Sequence, residues 1–189
     1  AVEEAYAAVS YYYARPGATD NRVADRKRET LGIATVKPVF RVPHAVEAEA
    51  MEVVSVPKDA ECRIEGNWHN AELSGDVQLW CGCTRVGDAV ELRYPHILKG
   101  PQKVTLYATR FADYGIVRVS VNGKPLGESI DLYNPEGKGM LSTGPIDLGT
   151  FEPGPVWPIL RFELTGSNAE AKKPGTYFGI DCVVLTPST

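Results

Sequence analysis

The sequence has no marked excess of either charge: 20 Lys and Arg stand against 24 Asp and Glu, for a net charge of −4. Such a balance supplies no basic field for nucleic acid or an anionic membrane surface, so neither is expected as a partner. Long apolar runs are missing as well. The longest are strand-sized and fall far short of a bilayer span. No long segment carries the 3.6-residue periodicity of an amphipathic helix. Histidine is scarce: His44, His69 and His96 are scattered beside a proline, a tryptophan or a turn and read as structural or surface residues. Cysteine is scarce too, with only Cys62, Cys81, Cys83 and Cys182. There is no CxxC pair, which argues against a zinc site, and the chain is too long and cysteine-poor for a disulfide scaffold. Cys81 and Cys83 flank Gly82 and share one face of a strand. The four thiols are expected buried and free, with one or more disulfides, or a metal, as the alternatives.

The common catalytic signatures are absent. There is no GxSxG elbow, no HExxH, no P-loop and no GxGxxG leading into a helix. Carboxylates are plentiful, yet nothing in their spacing singles out a glycosidase pair. This chain alone is therefore not expected to be an enzyme.

What is present is turn chemistry. Gly occurs 18 times and Pro 14 times, between short segments of two-residue period. Val104 to Phe111 and Ile116 to Val121 read as half-buried strands, and Asn122-Gly123 follows the second directly. Asn-Gly beside such a run is a strong hairpin signal, because a type I′ turn needs positive φ at both positions. Further strands are expected at Val46 to Val54, Val77 to Cys81, Ala89 to Arg93, Ile146 to Phe151, Ile159 to Thr165 and Tyr177 to Leu185. This rhythm predicts an antiparallel sandwich or barrel.

The first forty residues differ. Tyr6 to Ala14 is aromatic and rich in small residues, and reads as a strand or a short helix. Arg15-Pro16-Gly17 breaks it, Thr19 to Glu29 is a charged solvated linker, and Val36 to Pro43 is extended by its prolines. The expected division is 1–40 for the N-terminal strand and linker, and 41–189 for the sandwich. A lone terminal strand needs a partner sheet, so Tyr6 to Ala14 is expected to dock on the sandwich or on another chain. The sequence opens on Ala1 without a signal-peptide pattern, as a mature secreted form, a processed piece or a fragment does.

Two constellations invite a site. Glu47 and Glu49 alternate in Val46-Glu47-Ala48-Glu49-Ala50, which puts both side chains on one face of the first sandwich strand. Asp181 lies in the last strand, which a jelly roll brings near the first. Three hard oxygen donors suit Ca²⁺, completed by backbone carbonyls. The alternative is a solvated strand face with a local hydrogen bond at Asp181. The second constellation is Trp68 in Gly66-Asn67-Trp68-His69-Asn70, followed by Asp76. Sugar rings stack on exposed indoles while neighbouring amides and carboxylates bind hydroxyls, so Trp68, Asn67, Asn70 and Asp76 form a candidate carbohydrate site. The alternative is a structural Trp68. Trp80 reads as core or cleft wall, and Trp157, near Pro155 and beside Pro158, as a turn-packing residue.

Several of these stretches carry a resemblance. Glu47-Ala48-Glu49, Ser74 to Trp80, Asp113-Tyr114-Gly115-Ile116-Val117, Asn122 to Gly127 with Ile130 to Tyr133, and Tyr177 to Asp181 are similar to the C-terminal β-sandwich of bacterial glycoside hydrolase family 172 proteins. Tyr11 to Ala18 resembles the strand closing the hydrolase domain that precedes that sandwich. The resemblance implies an accessory part of a larger bacterial glycosidase-like protein, secreted, periplasmic or on the cell surface. The sandwich also resembles carbohydrate-binding module families 6 and 35. That likeness implies a galactose-binding-like jelly roll with a structural calcium held by an E-x-E pair and a last-strand aspartate, matched here by Glu47, Glu49 and Asp181. The partners implied are a glycan, an upstream catalytic domain, or further copies of the chain. An assembly domain joining through its N-terminal strand is the competing reading.

Overall fold

The computed structural model describes residues 39–135 and 137–188. The expectations for Tyr6 to Ala14 and for the Thr19 to Glu29 linker lie outside the described residues. The described chain forms a compact unit from Phe40 onward. Its strands are β1 (Val46–Glu47), β2 (Glu52–Ser55), β3 (Glu61–Gly66), β4 (Val77–Gly82), β5 (Ala89–Arg93), β6 (Gln102–Arg110), β7 (Gly115–Val121), β8 (Lys124–Asp131), β9 (Leu141–Phe151), β10 (Ile159–Ser167) and β11 (Tyr177–Pro187). One sheet runs β3-β4-β11-β6-β9, with β1 also on β11, and the other runs β2-β5-β10-β7-β8. Every ladder is antiparallel. The architecture is an all-β, two-sheet jelly roll.

The alternation seen in the sequence produces the core. Val104, Leu106 and Ala108 of β6 point inward, as do Val117, Val119 and Val121 of β7. They meet Leu79 and Cys81 of β4, Leu160, Phe162 and Leu164 of β10, and Phe178 and Ile180 of β11. Each such large side chain contributes roughly 1.5–3 kcal/mol by leaving water. At Asn122-Gly123 both residues have positive φ, 49° and 78°, and Val121 pairs Lys124 across them. That is the geometry of a two-residue turn that matches strand twist.

Two departures from the sequence reading matter for the site. Val46 to Val54 is not one strand. A 3₁₀ turn at Ala48–Ala50 interrupts it, and the chain crosses from one sheet to the other, β1 joining β11 and β2 joining β5. The cause is Ala48, fully buried, and Met51, which also turns inward. The β3 strand was not anticipated, although Cys62 and Ile64 alternate with charged residues. β8, the partner strand that the Asn122-Gly123 hairpin signal implies, was given no bounds, because Pro125 and Gly127 weaken its strand pattern. Proline is tolerated there because β8 is an edge strand.

A buried polar network ties the sheet to the loops above it. Gln78, fully buried, donates from Nε2 to Glu65 Oε2 at 3.1 Å and to Tyr114 Oη at 3.1 Å. Its Oε1 accepts from Thr109 Oγ1. Gly179 lies beneath this pair, and a Cβ there would overlap both Gln78 and Thr109.

Candidate functional site

The acidic cluster is built by three irregularities of the backbone. Glu47 ends β1, Glu49 projects from the 3₁₀ turn, and Asp181 sits at a β-bulge between Ile180 and Cys182. The bulge is where β11 exchanges one neighbour for another, pairing β4 up to Ile180 and β1 from Cys182. A bulge re-aims the extra side chain, and here it turns Asp181 toward the glutamates. Glu47 and Glu49 thus converge, but through a turn rather than along one strand face. A second turn, Ser74–Asp76, covers the cluster. Ser74 Oγ donates to Glu47 Oε1 at 2.7 Å, and Ser74 N donates to Asp181 Oδ2 at 3.2 Å. Gly75 closes over it at φ 72°, where a Cβ would stand 3.6 Å from Glu49 Oε1 and 3.7 Å from Glu47 Oε1.

The electrostatics of this cluster are unbalanced. Arg41 pairs with Glu47 Oε1 at 3.0 Å. Yet Glu47 Oε2, Glu49 Oε2 and Asp181 Oδ1 are buried with no hydrogen-bond partner. Burial, with Glu47 beside it, pushes Glu49 from 4.5 up to about 7. Burial and the two glutamates push Asp181 from 3.8 up to about 7. Such orphaned oxygens cost about 1–3 kcal/mol each, more when charged. A hard divalent cation would remove that cost, and carboxylate oxygens are the donors that Ca²⁺ takes. Glu47, Asp181 and Cys182 each offer a ligand atom within 4.8 Å of the others, and Glu49, expected as the third ligand, is not in this group. Burial, then Asp181 and Glu47, push the Cys182 thiol up. The thiol is thus held in its protonated form in the cation-free protein, which leaves the carboxylate oxygens as the candidate cation ligands.

The loop carrying Trp68 is organised by the residues expected to bind sugar. Asn67 Nδ2 donates to the Ala71 carbonyl and to Asp76 Oδ1, and Asn67 Oδ1 accepts from Ala71 N at 2.8 Å. Asn67 and Asp76 are thus engaged inside the loop, where Asp76 adopts positive φ, 65°. Asn70, also at positive φ, is exposed, and Trp68 is 42% exposed. Trp80 is 8% exposed, between the Arg63 guanidinium at 3.9 Å and the Tyr177 ring at 5.0 Å. Trp157 is not packed into its turn but 46% exposed.

A cleft of about 530 Å³ opens where four loops converge, contributed by the β3–β4, β6–β7, β8–β9 and β10–β11 connections. The His69 and Phe111 rings lie 5.2 Å apart in it, and Asp113 and Lys172 line it. Backbone bonds hold the loops together: Lys172 N donates to the Ala112 carbonyl at 2.7 Å, and Asn134 N to the Phe111 carbonyl at 3.0 Å. Gly139, at φ 75°, lets its loop press on His69, whose Nδ1 would be 3.2 Å from a Cβ. Asp113 Oδ1 is buried without a partner, and burial raises the Asp113 pKa against the opposing pull of Lys172. A few polar groups on an apolar platform are what small-ligand sites share. Sequence reasoning passed over Asp113, Phe111 and Lys172 because only the fold brings these loops together.

No family model matches the chain, and no curated protein matches it. Among solved structures it is similar to a Paenibacillus xanthan lyase: 21% identity and a TM-score of 0.64, over 83% of this chain and 14% of that one. It thus spans a small part of that enzyme's length, and the likeness shows the fold alone. It also matches a β-1,3-glucan-binding family 6 module from Bacillus halodurans, with 15% identity and a TM-score of 0.49 over 77% of this chain and 98% of that one. A family 35 module from Paenibacillus barcinonensis gives 15% identity and a TM-score of 0.44 over 76% and 98%.

Proposed function

We propose that the chain is a non-catalytic carbohydrate-binding module whose loop cleft takes a saccharide and whose Glu47–Glu49–Asp181 cluster holds a structural Ca²⁺. The observation that carries the glycan reading is the Asp113 carboxylate, one oxygen of it unpartnered, lining a cleft walled by His69 and Phe111. A sugar supplies both complements, a hydroxyl for the carboxylate and a C–H face for the rings. Lys172 donates to a second hydroxyl. Trp68 and Asn70, adjacent to His69 in the chain and exposed, extend the platform, while Asn67 and Asp76 hold the loop in shape. The ion's work is structural: it neutralises the cluster and ties β1 to β11 and to the Ser74–Asp76 turn.

We further propose an accessory place in a larger bacterial glycosidase-like protein, exported to the cell surface or beyond, on the resemblance of the stretches named above to glycoside hydrolase family 172, although no family model matches the chain. Among the described residues no helix is long and apolar enough to cross a membrane. A glycan array probed with the whole chain, with Ca²⁺ and with chelator, tests the proposal. Retention of a defined saccharide supports it, and a blank array at micromolar protein contradicts it.

One observation favours a second reading, assembly on an upstream domain or on further copies. The edge strand β2 exposes Val53 and Val54, and Val56 follows, at 40%, 39% and 41% exposure. Uncovered edge strands are templates for pairing. Sedimentation of the chain at rising concentration distinguishes self-association from a monomer.

A further inference from the structure

The β3–β4 ladder holds a feature that neither sugar binding nor the cation cluster uses. Cys62 of β3 and Cys81 of β4 stand directly opposite one another, with their Sγ atoms 2.7 Å apart. That separation lies inside the ordinary contact distance of two non-bonded sulfur atoms.

The ladder pattern places them on the right kind of pair. Asn67 N donates to the Asp76 carbonyl at 3.1 Å, just beyond the end of the two strands. From there the register runs without a bulge back to Cys62 and Cys81. In an antiparallel ladder, hydrogen-bonded and non-hydrogen-bonded pairs alternate. Counting back from Asn67 and Asp76 makes Cys62 and Cys81 a non-hydrogen-bonded pair. Such pairs bring Cα atoms to about 4.5 Å, within the span that a disulfide bridges without backbone movement.

The two thiols also differ in the way a dithiol exchange needs. Cys62 is half-buried and Cys81 is fully buried. Contact with Cys81 pulls the Cys62 pKa down, whereas burial pushes Cys81 up. Cys62 is thus the reachable nucleophile, and Cys81 the resolving thiol already in contact with it. Cys83 lies past the end of β4, and Cys182 belongs to the acidic cluster.

We propose that Cys62 and Cys81 form a cross-strand disulfide when the protein meets a low-molecular-weight disulfide. The Cys62 thiolate attacks one sulfur of the reagent, forming a mixed disulfide and expelling one thiolate. Cys81 loses its proton, attacks the Cys62 sulfur and expels the second. Two cysteine thiols are oxidised, the reagent disulfide is reduced to two thiols, and the two protons end on those leaving thiols. The bond fastens β3, an edge strand of its sheet. It also closes the loop that carries Trp68 and His69, so one wall of the cleft is held in register by a covalent tie. The proposal stands on the ladder geometry and is independent of the glycan reading.

The test uses the whole chain, reduced with dithiothreitol and then equilibrated with excess glutathione disulfide. Thiol titration in denaturant should count two free thiols of the four present. Non-reducing peptide mapping should give one cross-linked pair containing Cys62 and Cys81. Closing a loop of this length should raise Tm by roughly 5–10 °C over the reduced protein. C83S should keep the bond and the shift, and C62S should lose both. The mapping of the unaltered chain decides the matter even if a variant fails to fold. Four free thiols after equilibration, glutathione retained on Cys62 without an internal bond, or a bond through Cys83 or Cys182 overturns the proposal.

Discussion

Removing divalent cations at pH 8 should destabilise this protein, and the size of the effect follows from two carboxyls. Asp181 is fully buried and its pKa is raised from 3.8 to about 7 without a cation. That is about a thousandfold in the ionisation constant, on the order of 4 kcal/mol at about 1.4 kcal/mol per tenfold. Glu49, raised from 4.5 to about 7, adds less because it keeps some solvent contact and is coupled to the same neighbours. The sign is fixed by linkage. A carboxyl raised in the folded state gives stability that is fully present below its unfolded pKa and is lost as pH rises through the folded value. Cation-free protein should therefore weaken between pH 4 and pH 8. At about 2–4 °C per kcal/mol for a chain of this size, Tm should fall by roughly 10 °C between pH 5 and pH 8. A hundredfold excess of Ca²⁺ over its dissociation constant restores about 2.7 kcal/mol at pH 8, and less at pH 5, where protons compete for the same oxygens. Thermal melts at both pH values, with chelator and with Ca²⁺, read this out. A melting curve at pH 8 unmoved by chelator, or cation-free protein that gains stability toward pH 8, would refute the reasoning.

Asp181→Ala should abolish the response to chelator in the same melts, since it removes the oxygen that links β11 to the glutamates. Trp68→Ala should remove glycan retention while costing under about 1 kcal/mol in a denaturant titration, because the indole is 42% exposed; a loss of about 3–5 kcal/mol would mark a core tryptophan instead. Gly179→Ala should cost about 2 kcal/mol or more by the same titration, because its Cβ drives Gln78 and Thr109 apart.

Much of the sandwich was legible because burial writes a two-residue period into β6, β7 and β10, and because Asn122-Gly123 admits few conformations. The acidic residues were legible as chemistry but not as geometry. Alternation put Glu47 and Glu49 on one strand face, whereas the burial of Ala48 folds them in through a turn. The bulge that aims Asp181 leaves no local trace, since it arises where β11 exchanges partners. Asn67 illustrates the opposite limit: its residue type suits hydroxyl binding, but closure of the loop consumes its amide on Ala71 and Asp76. The cleft was invisible for a plainer reason. His69, Phe111, Asp113 and Lys172 come from loops far apart in sequence, and only the stacking of two sheets gathers them at one end.

The central claim is that the loop cleft binds a saccharide through Asp113. The direct test is a glycan array probed in Ca²⁺ with the whole chain and with Asp113→Asn, both first shown to melt at similar temperatures. The account predicts that the unaltered chain retains a defined saccharide and that the variant loses at least tenfold in retention. An array left blank by both, or a variant that binds as well as the unaltered chain, would contradict it.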